Sequence, residues 1–225
     1  MKIFELNVEE EHIKVTRNAR YYKLGEISGL TKNVWVVLHG HKQLAGRFIR
    51  IFHELTELGD MVIAPEALLR FYVEGDYGDV GATWMTKEDR ESDIADYVNY
   101  LDLLYEKEIS TQKDKFVFNV TALGFSQGAA TLSRWLALGR SKVDKAIFWC
   151  GNIANDVDYS KSQSFKSTEI QLVFASNDPY FPGDYYKTQV SLLEQNGIEP
   201  KVHIFEGGHE INMKLIRDAS VLNSN

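Results

Sequence analysis

The sequence holds one cysteine, four prolines, no excess of basic residues and no long apolar run. A single thiol, Cys150, rules out a disulfide within the chain and fits a reducing, cytoplasmic compartment. It ends the apolar stretch Ala146–Ile147–Phe148–Trp149–Cys150, where the expected role is a small buried filler rather than a reactive group. The 25 Lys and Arg against 32 Asp and Glu leave a formal charge of -7. The basic face that nucleic acid or an anionic membrane would require is therefore missing. No stretch reaches the ~20 apolar residues of a membrane span. Residues 1–20 carry Glu9, Glu10 and Glu11 and no apolar core of a secretory signal, which again favours the cytoplasm. With no linker, repeat or low-complexity tract, residues 1–225 are expected to form one domain large enough to bury a sizeable core.

What the sequence does have is alternation. Ile3–Val8 and His12–Ile27 alternate loosely and predict a pair of antiparallel strands. Val34–Leu38 is an unbroken apolar run, as in a strand buried on both faces. Leu44, Phe48, Ile51, Phe52, Leu55 and Leu58 recur at helical spacing up to a terminating Gly59. Further strands are predicted at Met61–Ala64, Phe116–Phe125, Lys145–Trp149, Ile170–Ala175 and Val202–Phe205. Helices are predicted through Ile94–Leu104 (opened by Thr86 and Asp89 in a near capping box), at Ser126–Leu138, near Asp184–Gln195 and after His209. Such alternation predicts the α/β class: a mainly parallel twisted sheet with helices on both faces. Ligands in such sheets gather beyond the carboxyl ends of the strands, so the residues following each strand are where chemistry is sought.

One of those positions carries Gly124-Phe125-Ser126-Gln127-Gly128. This is the G-x-S-x-G nucleophile elbow of the α/β-hydrolase fold, at the predicted strand-to-helix junction. The turn is too tight for bulky flanking side chains, and the following helix offers N–H groups to a developing negative charge. The plainer alternative is a glycine-bracketed helix N-cap serine. A serine hydroxyl needs a base. Of six histidines, His12 lies too early, His53 sits on a helix and His203 inside a strand. His209 follows the last strand in the flexible Gly207–Gly208–His209 loop and is the expected base. Asp178, just after Ile170–Ala175, completes the order Ser126, Asp178, His209 that this fold uses. Asp156 and Asp158 are rivals for the acid, and Asp184 is better read as a helix N-cap.

Acyl transfer passes through an oxyanion, for which two backbone donors are expected. They are the N–H of Gln127, directly after the serine, and that of His41 in the loop after Val34–Leu38. His39 and His41 form an H-x-H pair, but no further ligand cluster accompanies it, and no metal or other cofactor is expected. Residues 66–90 show little periodicity and many aromatics and read either as a wall or lid over an acyl pocket or as a satellite apolar cluster.

These pieces together resemble the phospholipase/carboxylesterase family of small α/β-hydrolases, which includes acyl-protein thioesterases. The resemblance rests on Leu38–His39–Gly40, Gly124-Phe125-Ser126-Gln127-Gly128, Asp178 with Phe181–Pro182, and Gly208–His209–Glu210–Ile211. It implies a cofactor-independent acyl hydrolase acting on a small-molecule ester or thioester through Ser126, Asp178 and His209. It further implies that Trp84, and Met85 beside it, lie near the substrate. His41 and Lys42 stand where the family usually has a small or apolar residue and a second glycine, and residues 81–90 do not follow the family loop, so the branch is divergent. A peptidase of the same fold lacks its gating domain here. The contrasting class is a non-catalytic ligand-binding protein on a hydrolase scaffold.

Overall fold

The computed structural model describes residues 8–217. In chain order its elements are β1 (Tyr21–Leu24), β2 (Asn33–Leu38), α1 (Ala45–Phe48), α2 (His53–Glu57) and β3 (Met61–Pro65). Then come β4 (Leu69–Tyr72), β5 (Val80–Thr83), α3 (Arg90–Tyr105), α4 (Thr111–Lys113), β6 (Asn119–Phe125) and α5 (Gln127–Leu138). The chain continues through β7 (Lys145–Trp149), α6 (Gln163–Ser167), β8 (Glu169–Ala175), α7 (Tyr185–Glu194), β9 (Lys201–Phe205) and α8 (Met213–Arg217). Seven strands form one sheet in the order β1-β3-β2-β6-β7-β8-β9. All its pairs are parallel except β1 with β3. This is the α/β-hydrolase architecture.

The alternation along β2 shows how the sheet buries itself. Val34, Val36 and Leu38 face one layer, with Ile94, Leu101, Leu132 and Trp135 of α3 and α5. Trp35 and Val37 face the other, with Phe48, Phe52, Leu55 and Ile216. Because both faces are covered, the inner strands carry apolar residues at nearly every position. Two buried carboxylates pin neighbouring elements together. Asp60 accepts from the Asn33 backbone and the Trp35 indole, and Asp102 from the Trp135 indole and the Arg140 and Ser141 backbone.

The chain reverses its direction of winding between β2 and β6. After β2 it adds β3 on one side, and β6 then returns to the other side of β2, with Leu38 opposite Gly124. That switch point brings the loop after β2 against the loop after β6, where a crevice is expected.

Several expectations need correction. Ile3–Val8 lies outside the described residues apart from Val8. Within His12–Ile27 only Tyr21–Leu24 is a strand, and among the described residues it pairs with β3. The third inner strand starts at Asn119, not Phe116. The Phe116 N–H still donates to Gln112 O at 2.9 Å as part of the preceding turn, and Val117 is wholly exposed. The helix expected across Leu44–Leu58 is divided, with a 3-10 turn at Ile49–Phe52 between α1 and α2. Thr86 does not open α3. Asp89 has a left-handed φ of 45°, so helical geometry begins only at Arg90, and the Thr86 N–H donates to Asp93 Oδ2. The segment from 66 to 90 is no plain loop, for β4 and β5 pair in an antiparallel hairpin. Among the described residues no helix is long and apolar enough to cross a membrane.

Candidate active site

Ser126 occupies the turn between β6 and α5 with φ 55° and ψ -118°, a conformation that L-residues seldom adopt. Its surroundings enforce it. The Ser126 N–H donates to Trp149 O at 2.9 Å and its carbonyl accepts from Ala129 N–H at 3.0 Å. A Cβ on Gly124 would lie 2.3 Å from Gly128 O, and one on Gly128 would lie 2.3 Å from Leu38 O. Both glycines of the motif are thus required by contact with backbone, not by loop flexibility. Gly40 packs against the serine itself, where a Cβ would meet Ser126 Cβ at 3.1 Å.

His209 Nδ1 lies 2.7 Å from Asp178 Oδ2, and a carboxylate only accepts, so the proton sits on Nδ1 and Nε2 is left for the cavity. The Asp178 side chain is fully buried, and its Oδ1 takes the Tyr180 N–H at 2.9 Å. The loops carrying the two residues are stitched together, since the Ser176 N–H donates to Phe205 O and the Asn177 N–H to Gly207 O. The Trp149 indole holds the far side of the histidine loop by donating to Glu210 O at 2.7 Å. Phe125 and Tyr180 pack on the His209 ring at centroid distances of 4.8 and 4.7 Å. Ser126 and His209 face one cavity of about 370 Å³, walled by His41, Lys42, Phe125, Tyr180 and Phe181. No hydrogen bond joins Ser126 Oγ to His209 among the described contacts.

The two expected oxyanion donors flank this serine. Gln127 opens α5, and His41 lies on the Gly40–Gln43 turn. His39 supports that turn from behind. Its Nδ1–H donates to Gly40 O at 2.8 Å, and its Nε2 accepts the Ala67 N–H at 3.1 Å. Burial lowers this ring from its ordinary 6.5 to about 4, against smaller upward pulls from the Gly40 bond and Glu66, so it stays neutral. Burial, and then the charge on Lys42, also lowers His41, whose ring stacks on Phe71 at 5.4 Å.

Cys150 is buried, and its Sγ, an Asp178 carboxylate oxygen and a His209 nitrogen lie within 4.8 Å of one another. Burial above all, then the Asp178 charge, pushes the thiol pKa up. The filler role expected for it therefore has a specific neighbour that the sequence did not reveal.

Other expected residues lie elsewhere. Trp84 is only 1% exposed and sits behind the Gly40–Gln43 turn, its indole donating to His39 O at 2.8 Å. It borders a separate cleft of about 330 Å³ with Leu68, Leu69 and Tyr100, and not the cavity holding Ser126. Met85 is half-buried, its sulfur 3.5 Å from Arg134 Nη1. Asp156 is engaged by Arg134 and Arg90, Asp158 accepts the Ser160 N–H, and Asp184 stands at the N-cap position of α7, where its side chain pairs with Lys187 and makes no capping bond. Tyr180 and Phe181 were not singled out as cavity walls. The signal was there, since both follow Asp178 beyond a strand end.

Three solved structures show the same fold. Esterase PE8 superimposes with a TM-score of 0.68 at 22% identity, over 92% of this chain and 98% of that one. Zea mays acyl-protein thioesterase 2 gives 0.67 at 15% identity, over 90% and 96%. The Bacillus cereus carboxylesterase gives 0.65 at 16% identity, over 89% and 91%. No curated protein matches the chain in sequence. Residues 31–214, from just before β2 into α8, match the family model described as Dienelactone hydrolase family, and the chain belongs to that family of hydrolases.

Proposed function

We propose that the protein is a one-domain cytoplasmic serine hydrolase that cleaves a small carboxylic ester or thioester through an acyl-enzyme on Ser126. The observation that carries this reading is His209, bonded to the buried Asp178, on the wall of the cavity that also exposes the elbow serine. Membership of a hydrolase family supports it, as does the esterase and thioesterase fold of the structural neighbours.

In this mechanism His209 Nε2 takes the proton from Ser126 Oγ as the oxygen attacks the substrate carbonyl. Asp178 holds the ring and stabilises the imidazolium. The oxyanion is received by the His41 and Gln127 N–H groups, each worth ~3 kcal/mol of barrier. Collapse expels the alcohol or thiol, which takes its proton from His209. A water then repeats the sequence against the acyl-serine, releasing the carboxylate and restoring Ser126. The aromatic wall of Phe125, Tyr180 and Phe181 gives the substrate an apolar surface to pack on.

A fluorophosphonate probe tests the reading, because it phosphonylates only a serine whose base and oxyanion donors are in place. One adduct on Ser126, absent in Ser126→Ala and His209→Ala, is the expected result, with turnover of p-nitrophenyl acetate lost in step. A folded protein that gains no adduct and hydrolyses no ester sinks the proposal and leaves a ligand-binding scaffold.

A further inference from the structure

Gln127 enters the proposed mechanism through its backbone N–H alone, yet its side chain is the most completely bonded amide near the cavity. Its Nε2 donates to Thr83 Oγ1 at 2.8 Å and to Met85 O at 3.1 Å, and its Oε1 accepts the Trp84 N–H at 3.2 Å. Thr83 Oγ1 in turn lies 2.9 Å from Met85 O. A backbone N–H at one end and a backbone carbonyl at the other admit only one orientation of the carboxamide. All of these partners belong to the end of β5 and the two residues after it.

The same strand holds the other expected donor. The Lys42 N–H donates to Ala82 O at 2.9 Å, and the Ala82 N–H donates to Gln43 O at 3.2 Å. Lys42 is held there with φ 67°, and Gly81 leaves no room for a side chain, since a Cβ would lie 2.5 Å from Lys42 O. Residues 81–85 thus touch the turn bearing His41 on one side and the first residue of α5 on the other.

We propose that the Gln127 side chain is a positioning residue, tying the start of α5 to β5 so that one strand sets the gap between the two oxyanion donors. This rests on the acyl-hydrolase reading above. The carboxamide does not touch the reacting atoms and acts through the placement of its own N–H and, by way of β5, of His41. A gap set by main chain and a fixed amide needs no reorganisation as charge develops, which is what makes such donors effective.

The test uses the full chain with p-nitrophenyl acetate. Gln127→Met keeps the backbone N–H and the apolar bulk but has no hydrogen-bonding group strong enough to replace the tie. Its kcat is expected to fall by about tenfold to a hundredfold with KM within about twofold, because oxyanion stabilisation is felt only in the transition state. Gln127→Glu supplies the second readout. Its protonated acid reproduces one donor and one acceptor, so its kcat relative to the parent is expected to climb as pH falls. An ionised carboxylate there favours the protonated base, which would lower this ratio as pH falls, so a climb marks the restored donor. A Gln127→Met kcat within about twofold of the parent, or a Gln127→Glu ratio flat with pH, overturns the proposal. Should Gln127→Met fail to fold, the Glu ratio decides alone. The parent's fluorophosphonate adduct separates the two readings. With the adduct present and these variants unaffected, only the positioning role falls, whereas no adduct and no turnover in the parent removes both.

Discussion

Asp178 Oδ2 and His209 Nδ1 are 2.7 Å apart although their parent strands, β8 and β9, end in different loops. The contact exists because those loops share two backbone hydrogen bonds and because the carboxylate is fully buried, so that it cannot turn to water instead.

Asp178→Asn keeps the shape of that contact but presents an amide where the ring needs an acceptor. The expected result is a loss of about 10⁴-fold in kcat with the fold intact, read by steady-state kinetics beside a thermal melt. Equal activity in the variant would remove Asp178 from the mechanism.

His39 makes stability depend on pH. Its folded value of about 4 lies below its unfolded 6.5, so the unfolded chain binds more protons between the two. Its contribution is complete above pH 6.5 and is lost as pH falls toward 4, by roughly 3 kcal/mol at most. Denaturant midpoints measured between pH 7.5 and 4.5 should fall for the parent, and the difference between parent and His39→Gln should shrink over that range. A constant difference would mean that the ring is not buried neutral.

Cys150 should resist alkylation. Its thiol is buried, and its pKa is raised by that burial and by the Asp178 charge, so little thiolate forms. Iodoacetamide at pH 8 should label the chain in denaturant and leave the native protein untouched over the same time. Rapid labelling of the native protein would place the thiol at the surface.

Gly128→Ala puts a methyl 2.3 Å from Leu38 O, a backbone atom at the carboxyl end of β2. The overpacking should cost about 1–3 kcal/mol and lower activity with it. A melting temperature equal to the parent's would show that the elbow and β2 separate easily.

Much of this site was legible because glycine and periodicity mark it. Val34–Leu38, Ala146–Trp149 and Leu172–Ala175 are apolar throughout, which identifies inner strands, and Ser126, Asp178 and His209 follow β6, β8 and β9 in turn. The hairpin was not legible. β4 and β5 are four residues each, interrupted by Gly81 and separated by the polar run Glu74–Asp79, too short for a period to show. The resemblance puts Trp84 near the substrate, and its indole is buried behind the Gly40–Gln43 turn, bonded to His39 O. An aromatic residue in a glycine-containing segment signals that something is covered, and only the pairing of β4 with β5 decides that it is the back of the Gly40–Gln43 turn.

The hairpin's two ends answer to different demands. Its root, at Gly81–Thr83, is locked to both sides of the cavity, while its tip is closed by Val73 N–H on Asp79 O and leaves Tyr77 95% exposed. Residues between those two points can be lengthened, shortened or exchanged without moving the root. The tip is therefore an interchangeable part, open to change while the root holds its place.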